Sequence, residues 1–157
     1  MSDKEKELFD AINNGNKEQV EAALKEGADI NKQQSKKYPY DTPLTLASEL
    51  GHIDIVKLLL ENGADVNKYN KEYTPLMRAV NPTLESFKPE HTDIAKLLLE
   101  NGADVNAKNK INYDNPTPLI EIVRNQATTL GQKQKKELIE LLLDNGADIN
   151  AHTYSGM

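Results

Sequence analysis

Four stretches of the chain repeat one pattern of apolar and polar positions. Each contains Leu, Ile, Val or Ala at spacings that place them on one face of a helix, and each ends in Gly-Ala-Asp, then Val or Ile, then Asn. Because glycine readily adopts the left-handed conformation that closes a helix, the pattern predicts a helix ending just before the glycine of each stretch. The stretches are residues 20–31, 55–67, 94–106 and 138–150.

A second phrase predicts further helix starts ahead of the last three stretches. Thr-Pro-Leu begins at Thr42, Thr74 and Thr117. A threonine hydroxyl can cap the amides of a helix start, and proline suits the first helical position because no N–H is needed there. One unit is therefore a helix, a turn, a second helix and a polar segment. Since short helix pairs cannot bury their apolar faces alone, we expect the units to stack into a row with a shared core.

Both phrases resemble the ankyrin repeat family, whose signature is Thr-Pro-Leu-His-x-Ala in a unit of about 33 residues. The resemblance implies an all-α fold, an ankyrin-repeat solenoid of four helix-turn-helix repeats with extended finger loops. The signature histidine is replaced here by Thr45, Met77 and Ile120. We predict a single ankyrin-repeat domain over residues 1–157, with repeats at about 4–36, 37–72, 73–111 and 112–157.

The two ends of the row and two insertions depart from the common unit. The first unit lacks Thr-Pro-Leu and is typical of a capping repeat, while the last residues match a truncated start of a fifth repeat. We expect apolar groups around Leu119, Val123, Leu138 and Leu142 to be partly exposed, with weak self-association through them. The insertions lie near 81–91 and 125–135; the prolines of the first exclude a continuous helix, and either insertion is a functional loop or a tolerated length change.

The candidate partner-binding residues follow from the resemblance, which implies that the first helices and the fingers form a concave protein-binding side. All six tyrosines lie in the finger segments, residues 32–41, 68–73 and 107–116, or in the tail, either as partner contacts or as rings that stack between fingers. We expect Arg78 and Glu121 to be exposed and paired across repeats, facing a protein or peptide with basic character. The predicted set is Tyr38, Asp41, Leu46, Leu50, Lys71, Tyr73, Arg78, Tyr113, Asp114, Glu121 and Asn125.

Composition narrows the function classes. The net charge of −6 argues against nucleic acid and membrane partners, and the absence of cysteine removes disulfides and thiolate chemistry. The charged N-terminal stretch does not match a signal peptide, so we expect a cytoplasmic or otherwise intracellular protein.

No catalytic, cofactor or metal site is predicted. The pairs His52 with Asp54 and His91 with Asp93 stand two positions apart, so their side chains diverge on a helix. The recurrent aspartates of the Gly-Ala-Asp phrases favour local turn hydrogen bonds over calcium binding. We therefore predict a non-catalytic scaffold for protein–protein interaction. The alternative is a regulatory or structural fragment of a larger ankyrin-repeat protein with no independent partner.

Overall fold

The computed structural model describes residues 2–34, 41–70, 72–82, 87–109, 115–124 and 131–151. Within these ranges the chain is helical and holds no strand. The helices are α1 (Asp3–Asn13), α2 (Lys17–Lys25), α3 (Pro43–Leu50), α4 (Ile53–Glu61), α5 (Pro75–Val80), α6 (Pro89–Glu100), α7 (Pro118–Arg124) and α8 (Gln132–Asp144).

Consecutive helices pair, and the pairs stack in a row. Helices α1, α3, α5 and α7 pack side by side in one layer, and α2, α4, α6 and α8 form a second layer against it. The apolar stripes of the sequence meet between the layers, where residues such as Phe9, Leu59 and Leu98 are fully buried. The all-helical stacked fold expected from the sequence is confirmed.

The predicted helix starts are built by the repeat threonines. The Thr42 hydroxyl accepts the Thr45 N–H at 3.2 Å, and the Thr74 hydroxyl accepts the Met77 N–H at 3.3 Å. Thr45 returns a contact, since its hydroxyl oxygen accepts the Thr42 N–H at 2.7 Å. Where the family signature has histidine, this threonine thus completes a capping box within its own helix.

The predicted helix ends also form, and they carry a chain of hydrogen bonds between pairs. The glycines that follow α2, α4, α6 and α8 have φ between +83° and +89°, the left-handed region. In the turn that follows α4, the Asn67 N–H donates to Asp65 Oδ1 at 3.0 Å, which confirms the local role of these aspartates. The Asn67 side-chain oxygen in turn accepts the Asp104 N–H of the next pair at 2.8 Å.

This link repeats along the row, and we call Asn31, Asn67 and Asn106 the asparagine ladder. Asn31 Oδ1 accepts the Asp65 N–H at 2.9 Å, and Asn106 Oδ1 accepts the Asp148 N–H at 2.8 Å. The amides of Asn67 and Asn106 also donate to the glycine carbonyls of the following pair, at 3.1 and 3.0 Å. Each turn therefore fixes the next one.

Helix α1 closes the first end of the row. Its apolar side, Leu8, Phe9 and Ile12, is buried, and its outer face is polar, as predicted for a capping repeat. Lys4 Nζ donates to the carbonyl of Glu26 at the end of α2. Hydrogen bonds from Ser2, the charge of Lys32 and the backbone N–H of Asp29 lower the pKa of the Glu5 carboxyl.

At the other end the expectation was only partly right. Leu138 and Leu142 are fully buried and Leu119 nearly so, because α7 and α8 pack against α5, α6 and each other. The prediction that these three leucines are exposed is wrong. Val123, the fourth predicted residue, is 54% exposed.

The insertions lie between the two helices of the third and fourth pairs. Helix α5 ends at Val80 and α6 begins with Pro89 as its first residue, so the first insertion separates two helices as predicted. Between α7 and α8, residues 125–130 lie outside the described ranges.

Candidate functional site

The predicted binding residues divide into a described and an undescribed set. Asp41, Leu46, Leu50, Tyr73, Arg78 and Glu121 can be placed. The rest of the predicted set lies outside the described residues, namely Tyr38, Lys71, Tyr113, Asp114 and Asn125. For all eleven, contact with a partner stays a prediction.

The finger bases are closed by backbone hydrogen bonds that bring this region against the first layer of helices. The Gln34 N–H donates to the Asp41 carbonyl at 3.0 Å, and the Asn70 N–H donates to the Tyr73 carbonyl at 3.0 Å. The third finger closes in the same way, from the Asn109 N–H to the Pro116 carbonyl at 2.9 Å. Each finger therefore ends directly beside the threonine that starts the next helix.

Arg78 is not in an exposed groove, and this expectation is wrong. Its side chain is 2% exposed, and its Nη1 lies 3.2 Å from Oε2 of Glu49, which is fully buried. Helices α3 and α5 pack side by side, so position 78 faces the preceding pair instead of solvent. The Arg78 guanidinium also lies over the Tyr73 ring, 4.2 Å from its centroid.

Two more predicted residues are buried. Leu46 belongs to the apolar core, and Asp41 accepts a hydrogen bond from Asn70 Nδ2 at 2.7 Å. Burial raises the pKa of the Asp41 carboxyl, while the hydrogen bond from Asn70 and the charge of Arg78 act in the opposite direction. With Arg78, these side chains build the floor of the region and offer a partner almost no contact area.

Tyr73 and Glu121 form the accessible part of the site. Both are partly exposed, and Glu121 has each carboxylate oxygen bound: Asn81 Nδ2 donates to Oε2 at 3.1 Å, and Asn109 Nδ2 to Oε1 at 3.0 Å. Burial and the charges of Glu121 and Glu72 raise the pKa of Tyr73, against a hydrogen bond to Asn109. We call Tyr73, Asn81 and Glu121 the Tyr73 surface. It presents an aromatic ring beside a fixed carboxylate.

Tyr69 contacts a neighbouring finger, the alternative to partner contact that the sequence left open for the tyrosines. Its hydroxyl donates to the Lys108 carbonyl in the next finger at 3.0 Å. At this position a tyrosine joins neighbouring fingers. Leu50, at the end of α3, is partly exposed and packs against the core.

Sequence reasoning missed the residues that hold the Tyr73 surface in place. Asn70 and Asn109 are buried polar anchors, and Glu49 is the partner of Arg78. Asn70 stands four residues before its repeat threonine and Asn109 eight, so the unequal finger lengths hide their equivalence. The structure shows that the two asparagines are equivalent, because the backbone N–H of each makes the hydrogen bond that closes the base of its finger.

His52 and His91 pack within the fold and have structural roles, as predicted, while His152 lies outside the described residues. His91 is fully buried, accepts the Lys88 N–H on Nδ1 at 2.9 Å and places Nε2 3.0 Å from the Glu49 carbonyl. Its ring also lies against Gly51, and the His52 ring lies against Gly15 in the same manner. Among the described residues, no group of three or more His, Asp or Glu side chains is arranged to hold a metal ion.

In the part of the chain that the structure describes, no helix is long and apolar enough to cross a membrane.

Comparison with known proteins identifies the family. No curated protein matches the sequence significantly. The family model for ankyrin repeats (3 copies) matches residues 8–109, which run from the middle of α1 through α6 to the start of the third finger. The chain therefore belongs to the ankyrin repeat family, whose members generally act as non-catalytic protein–protein interaction modules.

Proposed function

We propose that this chain is a non-catalytic scaffold that binds a basic protein or peptide on its concave side, through the Tyr73 surface and the adjoining fingers. The observation that carries this proposal is the fixed carboxylate of Glu121, whose two oxygens are each held by an asparagine amide beside the Tyr73 ring. A preorganised aromatic and an oriented carboxylate bind with little loss of side-chain entropy.

The charges of this region favour a basic partner. Among the described residues, the cation beneath the ring is Arg78, which is buried against Glu49, so its charge is balanced inside the fold. The charge of Arg78 lowers the pKa of Tyr73 while the charges of Glu121 and Glu72 raise it, so two negative groups lie near the ring. The net charge of −6 has the same sign and would steer a basic partner towards the chain.

The experiment compares the proteins that the immobilised parent chain retains from a cell lysate with those that immobilised E121Q retains. This substitution removes the charge of Glu121 and keeps an oxygen that can accept from one of the two asparagines. E100Q, at the exposed end of α6, is the matched control. Captured proteins are identified by mass spectrometry, and the contact is located by amide chemical shifts on titration with the purified partner.

We expect the parent and E100Q to capture the same basic partner and E121Q to lose it, with shifts concentrated at Tyr73, Asn81 and Glu121. A partner retained equally by E121Q, or shifts confined to the second layer of helices, would refute the proposed surface. A parent chain that captures no protein would refute the scaffold function itself.

A further inference from the structure

The last helix pair carries an apolar groove of about 380 Å³. Its walls are α7, α8 and the turn that follows α8. Val123 and Ile149, two of its lining residues, are 54% and 74% exposed. The apolar lining, which we call the end face, consists of Leu119, Ile120, Val123, Ile139, Leu143 and Ile149.

Two positions of the end face, those of Val123 and Ile139, are fully buried in the second and third helix pairs. Val123 stands six residues after its repeat threonine, and the same position in the second and third pairs holds Ser48 and Val80, both fully buried. Ile139 stands seven residues before its helix-closing glycine, and the equivalents Val56 and Ala95 are also fully buried. In those pairs the following helices cover the position. The end face thus has the composition of a surface that packs against protein.

The first end of the row is a poor match for the end face. Its groove, between α1 and α2, is lined by three carboxylates and by small residues such as Ala22. A head-to-tail contact would bury these carboxylates against isoleucine, valine and leucine, which is unfavourable because charged groups lose hydration there. Lys4 already donates to the carbonyl of Glu26 at this end. An apolar end face is matched better by another apolar end face.

We infer that the end face docks against the end face of a second copy of this chain, related by a two-fold axis. The charges at the rim are complementary in this arrangement. Arg124 ends α7 and Asp148 lies in the turn after α8, and both line the groove. In a two-fold contact residue i meets residue j and j meets i, so the pairing of Arg124 with Asp148 of the partner forms twice. The contact is small, so the dimer is weak and reversible.

The first experiment measures self-association by analytical ultracentrifugation across a concentration series. The parent chain is compared with I149D, at an exposed position of the end face, and with A22D, the matched control at the other end. We expect a saturating monomer–dimer equilibrium for the parent and A22D. I149D should raise the dissociation constant by about tenfold or more, because burial of an isoleucine is replaced by burial of a charge.

The second experiment tests the two-fold geometry by charge reversal. R124D and D148R each place like charges at both rim contacts, so each variant alone should be monomeric. A mixture of the two restores both opposite-charge contacts and should form a heterodimer with the parent's affinity. Circular dichroism and the melting temperature check that every variant is folded. If D148R does not fold, the comparison of I149D with A22D decides.

Several results would overturn the inference. They are a parent chain that stays monomeric over the whole series, an open-ended polymer sensitive to A22D, and a mixture of charge variants that fails to associate. A monomer would mean that another segment or protein covers the end face. Glu121 lies on α7, but its carboxylate is held by Asn81 and Asn109 and does not line the groove. E121Q should therefore leave dimerisation unchanged, and failure of either proposal is distinguishable from failure of the other.

Discussion

The buried pair of Glu49 and Arg78 gives the most demanding test of the fold's energetics. Replacing Arg78 by methionine keeps an unbranched side chain and removes the charge. It leaves the carboxylate of Glu49 in a fully buried position without the guanidinium that lies 3.2 Å away. Breaking one partner of a buried pair destabilises a protein by about 3–5 kcal/mol, since an uncompensated charge stays inside. Loss of the Arg78 contact with the Tyr73 ring adds about 0.5–2 kcal/mol.

The double variant E49M/R78M separates the contribution of the pair from the penalty of leaving one charge behind. With both ionic groups replaced by apolar ones of similar length, the desolvation penalty disappears together with the attraction. Buried ion pairs replaced in this way often leave stability unchanged or raise it. We therefore expect R78M to be clearly less stable than E49M/R78M, so that adding E49M to R78M raises the free energy of unfolding. If R78M lost only packing contacts, the second substitution would lower that free energy further.

The assay is equilibrium unfolding in urea, followed by far-ultraviolet circular dichroism. In thermal unfolding, the same loss of about 3–5 kcal/mol in the free energy of unfolding would lower the melting temperature of a 157-residue chain by about 6–20 °C. The reasoning is refuted if R78M unfolds within about 1 kcal/mol of the parent, the size expected for a solvent-exposed pair. It is also refuted if the double variant is less stable than R78M.

Three further substitutions test the ladder, the finger base and one helix end. N67A removes both hydrogen bonds of Asn67 to the next pair, and urea unfolding should show a loss of about 1–2 kcal/mol. D41N should stabilise the chain at neutral pH. Burial raises the pKa of Asp41, so the parent loses stability as the pH rises through that pKa, and the neutral asparagine does not. The prediction is contradicted if D41N is no more stable than the parent at any pH of a series. G51A should lower the melting temperature more than G63A, because both glycines have positive φ but only at Gly51 would a Cβ meet His91, at 3.0 Å; equal losses would refute the contact.

The elements that the sequence predicts correctly are those specified by neighbours along the chain. A threonine cap, a first-turn proline and a closing glycine act within one turn of helix, so Thr42, Thr74 and the glycine after each second helix mark real boundaries. Repetition of the same phrases then predicts stacking, because every unit carries the same apolar face.

The errors concern contacts between units. A charged residue at the position of Arg78 suggests solvent, yet its partner Glu49 belongs to the preceding helix pair and lies too far along the chain for helical spacing to reveal it. The burial of Leu138 and Leu142 was missed for a related reason. Both residues face the preceding pair and are buried against it, whereas Val123 lies on a face of α7 that no described helix covers.

Glu49 receives two contacts from the third helix pair, one just before the first insertion and one at its last residue. Its carboxylate meets Arg78, before the insertion, and its carbonyl accepts from His91, where the insertion ends. The two ends of the inserted segment are therefore anchored to a single residue of the neighbouring pair. Because the entropy of closing a loop between fixed ends grows slowly with length, this segment can lengthen or shorten with little effect on the stack. The row thus contains a site where variation is structurally inexpensive, set between two of its tightest contacts.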